Sequence, residues 1–578
     1  MFKMYFRDTH VVKMFVFTVL FIVLSFVFVF PVASHGIILS SDDAPYHIAR
    51  INEIYENFKE GNFFPVLSTH TFAKIGYPVN LFYPWFTLIP FALLRFIVSP
   101  VAAIYLGIAF YTWLTFLVTF FVGKRMTSSD KKALLFSILY VFATYRTIDI
   151  YTRFALGEFL ATVFLPISLY GFYEVMFGNR KNWPFLTLGM TLLIFSHVLS
   201  TFIVTLFFAL VFLCSFWNIN GKISRLLSMI KAVIATVLCS AAYLIPFLEQ
   251  ELMQKFPQPS KMPFSPGAFS KILMSSLDNN VLRNVNFSNY YGIGFVCVAI
   301  CVFGVMNLKK MNKLNYILFW IGILIFLMAS SLFPWSLFDN TPINVIQFPF
   351  RILSIGTLLL SFVGANLIID TIEDSAHINH HSGMQIVILI GLVVVPWYSS
   401  VVALVNSPDS NQSEYTFDSK NINRETNISG YYLDQYTPRK AIKNLNNIIN
   451  GNGYINGKIV HFARNTDQSS IKFHLKHRIS SNAVIELPFA YYDNVVVMVG
   501  KNRMKIDESS NGLIQLKTGK HNSDTYTVKY SMSKMDMISI LVTLASILGL
   551  IWICFFRKDF RSKKSFSNFV NIHDDDKI

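Results

Sequence analysis

Apolar runs long enough to cross a bilayer recur from one end of this chain to the other. A span needs about 20 residues of helix, and such runs lie near residues 11–33, 101–122, 133–146, 159–177, 184–197 and 199–217. They continue near 229–248, 291–308, 314–333, 350–369, 384–404 and 536–556. A soluble chain of 578 residues that is 53% apolar and only 14% charged cannot cover its surface with polar groups. The fold class this implies is an α-helical polytopic membrane protein of about 12 spans.

The net charge of +16 first suggests nucleic acid, but its placement argues for a membrane. Lys and Arg gather in short connectors: Lys124, Arg125, Lys131 and Lys132; Arg180 and Lys181; Lys222, Arg225 and Lys231; Lys309, Lys310 and Lys313; and the tail 557–564. The positive-inside rule puts such connectors in the cytoplasm, so no nucleic-acid partner is expected. The run 11–33 follows Lys3, Arg7 and Lys13 and reads as a retained anchor with the N-terminus inside. One run, 79–98, is ambiguous. Its prolines (Pro78, Pro84, Pro90) and aromatics suit an interface, and keeping it outside brings every basic cluster to one side. Both termini are then cytoplasmic.

This threading divides the chain into a polytopic unit, 1–404, whose outer loop 34–100 holds the candidate chemistry, a block outside at 405–535, and a final span with a basic tail, 536–578. The outer block carries alternating runs at 458–464, 470–476, 483–487, 494–499 and 526–530, the period-2 pattern of a small antiparallel β domain. The five cysteines all lie in or beside apolar runs, and no metal-ligating cluster or cofactor motif is visible. A need for a divalent metal stays open. His380-His381 reads as a solvated pair in a cytoplasmic loop.

Directly after the first span comes Ser40-Ser41-Asp42-Asp43-Ala44-Pro45-Tyr46-His47-Ile48-Ala49-Arg50. Asp42 or Asp43 can cap a helix with Pro45 in its first turn. Ile48, Ile51, Tyr55 and Phe58 then form an apolar stripe expected to lie on the outer membrane surface. Asp43, His47 and Arg50 share one side of its start. A second stretch, 146–158, holds Arg146, Asp149, Arg153 and Glu158. Arg153 either pairs with Glu158 or offers its planar fork to a phosphate. His197 at the end of a span reads more simply as a hydrogen-bonded structural residue. Arg351, after Gln347, is a second phosphate candidate whose alternative is snorkelling.

Taken in order, Asp43-Ala44-Pro45-Tyr46-His47-Ile48-Ala49-Arg50-Ile51-Asn52-Glu53, Gly61-Asn62-Phe63-Phe64-Pro65 and Gly76-Tyr77-Pro78-Val79-Asn80-Leu81-Phe82-Tyr83-Pro84 resemble the opening of the 6-pyruvoyl-tetrahydropterin synthase-related multi-span membrane proteins. Arg153-Phe154-Ala155-Leu156-Gly157-Glu158, Ser196-His197 and Gln347-Phe348-Pro349-Phe350-Arg351 are similar to later signatures of that group and of YfhO-like bacterial membrane proteins. The resemblance covers roughly 11–370, and more weakly Glu486-Leu487-Pro488-Phe489. The pterin label is no guide to chemistry, because the zinc-binding His cluster of the soluble pterin enzymes is not apparent.

That resemblance implies the GT-C glycosyltransferase architecture in a bacterial plasma membrane, with an Asp of the first outer loop as base and a polyprenyl-phosphate sugar as donor. Asp43, or its neighbour Asp42, takes the catalytic position. His47, Arg50, Arg153, Glu158, His197, Gln347 and Arg351 fall at substrate- or phosphate-binding positions. The expected partners are membrane lipid, a lipid-linked sugar donor, and an extracytoplasmic glycan, teichoic-acid-like or protein acceptor. Two rivals use the same residues without this chemistry: a transporter or flippase of lipid-linked saccharide, and a non-catalytic protein of envelope assembly. A transporter should carry broken helices in two related halves, and no internal symmetry is visible.

Overall fold

A computed structural model describes residues 2–39, 41–257, 263–282, 290–376, 382–408, 416–422, 432–467, 469–476, 482–518 and 524–556. Ser40, His380-His381 and the 557–564 tail lie outside the described residues.

All twelve expected spans are helical. The chain runs through α1 (Phe2–Ala33), α2 (Ala44–Lys59), α3 (Val79–Phe82), α4 (Ile89–Leu94), α5 (Pro100–Thr127), α6 (Asp130–Val141), α7 (Thr144–Thr147) and α8 (Leu156–Met176). It continues through α9 (Trp183–Ser196), α10 (Val198–Ser215), α11 (Lys222–Cys239), α12 (Ala241–Met253), α13 (Phe269–Leu277), α14 (Gly294–Met306) and α15 (Lys313–Met328). The remaining helices are α16 (Leu353–Ala376), α17 (Ser382–Val405), α18 (Leu445–Ile449) and α19 (Lys534–Phe556). Among the described residues, seven helices are long and apolar enough to cross a membrane, or nine if two bent pairs each count as one span. The protein is thus a multi-pass membrane protein. The count falls below twelve because α9, α14 and α15 have only 14, 13 and 16 residues. At 1.5 Å per residue they reach about 20 to 24 Å, short of a ~30 Å hydrocarbon core. The ambiguous 79–98 run is broken into α3, a 3₁₀ turn and α4, none of them of spanning length.

The two ends of the bundle differ in chemistry. Lys131 pairs with Glu373 (3.1 Å) and Lys132 with Asp370 (2.5 Å), both at the far end of α16. Arg225 donates to the Val175 carbonyl in the last turn of α8 and to the Gly178 carbonyl just beyond it. Glu158 and Arg351 stand at the opposite, starting ends of the same helices. The basic connectors and the candidate site therefore occupy opposite ends of α8 and α16.

Beyond α17 the chain builds two antiparallel sheets. Their strands are β3 (Asn452–Ile455), β4 (Lys458–His461), β5 (Ala463–Asp467), β6 (Ser470–His474), β7 (Val484–Ala490), β8 (Val495–Val499), β9 (Asn502–Arg503), β10 (Ile506–Glu508), β11 (Leu513–Lys517) and β12 (Thr525–Tyr530). One sheet has the order β10-β11-β7-β3-β4 and the other β5-β6-β12-β8-β9. Val528 stands opposite Ile471 on one side and Val497 on the other. These join Phe473, Ile485, Leu487 and Leu516 in one shared apolar core. The alternating runs in the sequence are the source of this layer, since period-2 residues share a sheet face.

One expectation fails. α2 does not lie on the membrane surface. Ile48, Ile51 and Ile54 enter the core of the helical bundle, while Tyr46 and Ala49 pack into the core shared with the sheets. The helix is a layer between the two units, and the loop after it is pinned back upon it by one carboxylate. Glu53, fully buried, accepts from the backbone N–H groups of Thr69 (2.8 Å), His70 (3.1 Å) and Thr71 (2.8 Å), from the Thr71 hydroxyl (2.7 Å) and from Asn57 (2.8 Å). The same loop then meets the sheets. The Tyr77 hydroxyl donates to the Tyr432 carbonyl (2.7 Å), and a Cβ on Gly76 would stand 2.3 Å from the Phe489 ring.

Glu53→Gln should therefore loosen this joint. An amide nitrogen would face amide donors, and each buried donor left without a partner costs about 1–3 kcal/mol. A lower thermal midpoint in detergent and faster proteolytic cleavage within 65–77 are expected; an unchanged cleavage pattern would remove Glu53 as the clamp.

Candidate active site

The short segment from α1 to α2 is held at both ends. β1 (Ile37–Ile38) pairs with β2 (Phe417–Asp418), and the Tyr105 hydroxyl donates to the Ile37 carbonyl (2.6 Å). Asp43 occupies the cap position of α2, but its side chain makes no capping hydrogen bond, contrary to the cap expected from sequence. Instead its backbone N–H donates to the Arg153 carbonyl (2.9 Å), which fixes the segment against the turn that carries Arg153. Asp42 is exposed, and its carbonyl accepts from the Tyr432 hydroxyl (2.9 Å).

That turn is irregular. Residues 148–152 form a π-helical turn and Phe154 sits at φ +51°. The left-handed region is unfavourable for a residue with a Cβ, and strain of this kind gathers at functional sites. Its product is a compact ion cluster. Arg153 Nη1 donates to Asp149 Oδ1 (2.8 Å) and to Glu158 Oε2 (3.0 Å). Tyr145 donates to Glu158 Oε1 (2.6 Å), and Arg351 Nε stands 3.5 Å from Glu158 Oε2. Arg153, Asp149, Glu158 and Tyr145 are all buried, whereas Arg351 is partly open. Arg351 Nη1 is held by the Ile346 carbonyl (3.1 Å) and by Gln347 Oε1 (2.9 Å). Gln347 is the second strained position, at φ +64°, and Phe350 lies under the Arg153 guanidinium at 4.9 Å.

Asp43 faces this cluster. Its carboxylate makes no hydrogen bond or ion pair among the described residues, although part of its surface stays open. Loss of water around it raises the carboxyl to about 6; Arg153 and Arg351 pull it down, and Asp42 and Glu158 push it up. A carboxyl poised there accepts a proton near neutral pH and releases it readily.

The other expected residues divide. His47 is buried with Nδ1 unpartnered, edge-on to Tyr83 at 5.7 Å. Burial first, then Arg50 and His197, hold its imidazole well below the usual range, so it is neutral. Arg50 is not placed for a phosphate. Its guanidinium is buried over the Tyr83 ring (4.0 Å) and bonded to the carbonyls of Tyr83 (3.1 Å) and Pro84 (2.6 Å), which makes it a brace for that segment. His197 makes the kind of hydrogen bond that the simpler sequence reading expects. Its Nδ1 accepts from the Ser200 N–H (3.3 Å) and caps α10, which leaves the ring proton on Nε2. Its ring also packs against Tyr83 (5.8 Å). Arg146 turns into the bundle, bonded to Thr115 and Thr162.

Four residues of the site carried no assigned role in the sequence reading: Asp149, Tyr145, Tyr83 and Phe350. Asp149 and Arg153 are four residues apart, a spacing that brings side chains together on a helix. Tyr83 is set by Gly157, where a Cβ would come within 2.2 Å of the Tyr83 hydroxyl. Only glycine lets that hydroxyl reach the start of α8. Among the described residues, no group of three or more His, Cys, Asp and Glu could hold a metal ion.

Removing Arg153 alone should destabilise the fold, because Asp149 and Glu158 lose a partner while buried; breaking such a pair costs about 3–5 kcal/mol. The triple change Arg153→Met, Asp149→Asn, Glu158→Gln should recover the thermal midpoint of the single variant. If the cluster also binds substrate, its turnover stays low; full recovery of both would make the cluster purely structural.

No family model matches the chain, and no curated protein matches it. Among solved structures it is similar to the arabinofuranosyltransferase AftD from Mycobacteria, with 11% identity and a TM-score of 0.43 over 67% of this chain and 26% of that one. ArnT from Cupriavidus metallidurans, bound to undecaprenyl phosphate, gives 12% and 0.36 over 72% and 77%. The archaeal oligosaccharyltransferase AglB from Archaeoglobus fulgidus, in complex with an inhibitory peptide and a dolichol-phosphate, gives 11% and 0.38 over 73% and 60%. The chain spans about a quarter of the length of the first of these.

Proposed function

We propose that this protein is a GT-C-type membrane glycosyltransferase that moves a sugar from a polyprenyl-phosphate donor to a hydroxyl of an acceptor outside the cytoplasm. The observation that carries the reading is Asp43. It is a carboxylate without a protein partner, raised to about 6, facing two arginines at the end of the bundle away from the basic connectors. The resemblance of its motifs, in order, to those of the 6-pyruvoyl-tetrahydropterin synthase-related and YfhO-like proteins supports it.

In this mechanism Asp43 accepts the proton of the acceptor hydroxyl as its oxygen attacks the anomeric carbon. The bond from that carbon to the phosphate oxygen breaks, and its electron pair leaves on the phosphate. Arg351, the more open guanidinium, takes the departing phosphate, with Gln347 orienting it and Arg153 adding charge from below. His197 offers its Nε2–H at the rim. Direct displacement inverts the anomeric centre. Asp43 then returns its proton to water, which a group titrating near 6 does readily at neutral pH. General-base assistance of this kind is worth ~10²–10⁴-fold. The exposed aromatic and aliphatic side chains of Phe63, Phe64, Leu93, Phe96 and Ile97 offer an apolar border for a lipid tail.

Asp43→Asn keeps the shape but cannot take a proton, so transfer should fall by about two orders of magnitude or more while the folded yield holds. In the wild-type protein the rate should rise tenfold per pH unit below about 6 and level off above it, because only the ionised carboxylate is a base. Asp42→Asn should be milder. Near-normal turnover by Asp43→Asn with a polyprenyl-phosphate sugar would favour the transporter reading.

Sidedness is tested separately. Lys131→Cys should react with an impermeant thiol reagent only after the membrane is opened, and Asn465→Cys should react in intact cells. The reverse pattern would place Asp43 on the donor-synthesising side and overturn the proposed direction of transfer.

A further inference from the structure

A recess of about 420 Å³ opens where the loop after α2 meets the free edge of β5, lined by Ala73, Lys74, Arg464, Asn465 and Thr466. Its size falls within the ~300–1,000 Å³ of small-ligand sites. Two features set it apart from an ordinary surface dent.

The first is uncompensated charge. Arg464 is half-buried and donates from Nη1 and Nη2 to the last carbonyls of α18, those of Ile448 (3.1 Å) and Ile449 (2.9 Å). That fixes the guanidinium without giving it an anion. The nearest acid along the strand, Asp467, is already paired with Lys472 (3.1 Å). Lys74 makes no ion pair among the described residues. A half-buried cation normally has a counter-charge; Arg464 has none among the described residues, and the exposed Lys74 adds a second positive charge to the same recess.

The second is strain. Phe72, Ala73 and Lys74 stand at φ +52°, +56° and +54°, three successive left-handed residues with side chains. Each costs roughly 1–2 kcal/mol. The hydrogen bonds donated to Glu53 by the backbone N–H groups of Thr69, His70 and Thr71, with the burial of Phe72, hold the turn in place. The strained turn presents Lys74 to the β5 edge, whose outward backbone groups have no partner strand. Arg464 and Thr466, two apart, share one face of that strand.

We propose that this recess binds one anionic unit, a phosphate- or carboxylate-bearing sugar or polyol, of a polymeric acceptor. This deepens the transferase reading and rests on it only for the word acceptor. Glu53, which anchors the turn, lies ten residues along α2 from Asp43, about 15 Å at 1.5 Å per residue. The recess and the candidate carboxylate are thus joined by one continuous segment, α2 and the loop after it.

Binding is measurable without turnover. The full-length protein in phosphatidylcholine nanodiscs would be titrated with a poly(glycerol phosphate) oligomer, with neutral dextran of equal length as comparison and phosphatidylglycerol vesicles as competitor. The oligomer should bind at least about tenfold tighter than dextran, lose affinity steeply with salt, and not be displaced by the vesicles. Lys74→Glu, at an exposed position, should weaken it about tenfold or more, while Lys74→Arg binds as wild type. Unchanged affinity in Lys74→Glu, equal binding of dextran, or displacement by the vesicles would each overturn the site. Asp43→Asn should bind the oligomer normally, so loss of the transferase reading and loss of this one are told apart.

Discussion

The Glu158 carboxylate is the point on which the candidate site depends. Its two oxygens take a hydroxyl from Tyr145 and a guanidinium from Arg153, with Arg351 alongside, so groups from the 145–153 stretch and from the distant segment before α16 meet on one acid. In a bundle where water is scarce, a buried carboxylate must be met by donors or it will not stay charged. Meeting them requires the chain before α8 to leave regular helix. The π-helical turn at 148–152 and the left-handed Phe154 put Asp149 and Arg153 within bonding range of each other and of Glu158. The irregular backbone is the consequence of satisfying the charge.

A second carboxylate performs the same task one layer out. Glu53 gathers three amide donors of the loop 65–77 and so joins α2 to a segment that the β sheets then grip through Tyr77 and Gly76. The helix that begins at Asp43 is consequently fixed from both sides, by the bundle through Ile48 and Ile51 and by the sheet core through Tyr46 and Ala49. Preorganisation of this sort keeps a catalytic group in register without a hydrogen bond to the group itself.

The apolar runs and the C-terminal β strands were legible in the sequence, because each leaves a repeated or local pattern; whether Asp43, Arg153 and Arg351 come together was not, because they are far apart in the chain. The breaks were not. Neither the π-helical turn at 148–152 nor the 78° bend between α11 and α12 has a proline or glycine at its centre; tertiary contacts impose both. Arg50 shows the other limit. Its spacing from Asp43 and His47 gives the side of the helix it leaves from, but not whether that side meets solvent. In the fold that side meets Tyr83 and Pro84, whose carbonyls accept from its Nη2. The amphipathic stripe of α2 likewise announced an apolar face, yet a lipid surface and a protein layer ask the same of a sequence.

The acids of this site divide their work by how fully each is satisfied. Asp149 and Glu158 are buried and bonded to Arg153, so their charge stabilises the cluster and is not available to a substrate. Asp42 is exposed. Asp43 is intermediate: enclosed enough to lose hydration, near enough to Arg153 and Arg351 to remain ionisable, and bonded to the scaffold only through its backbone N–H. A proton acceptor needs a free lone pair and a pKa near that of its medium. Asp43 brings both to a partly open position beside two arginines, and that enclosure separates it from the exposed Asp42 where sequence position could not.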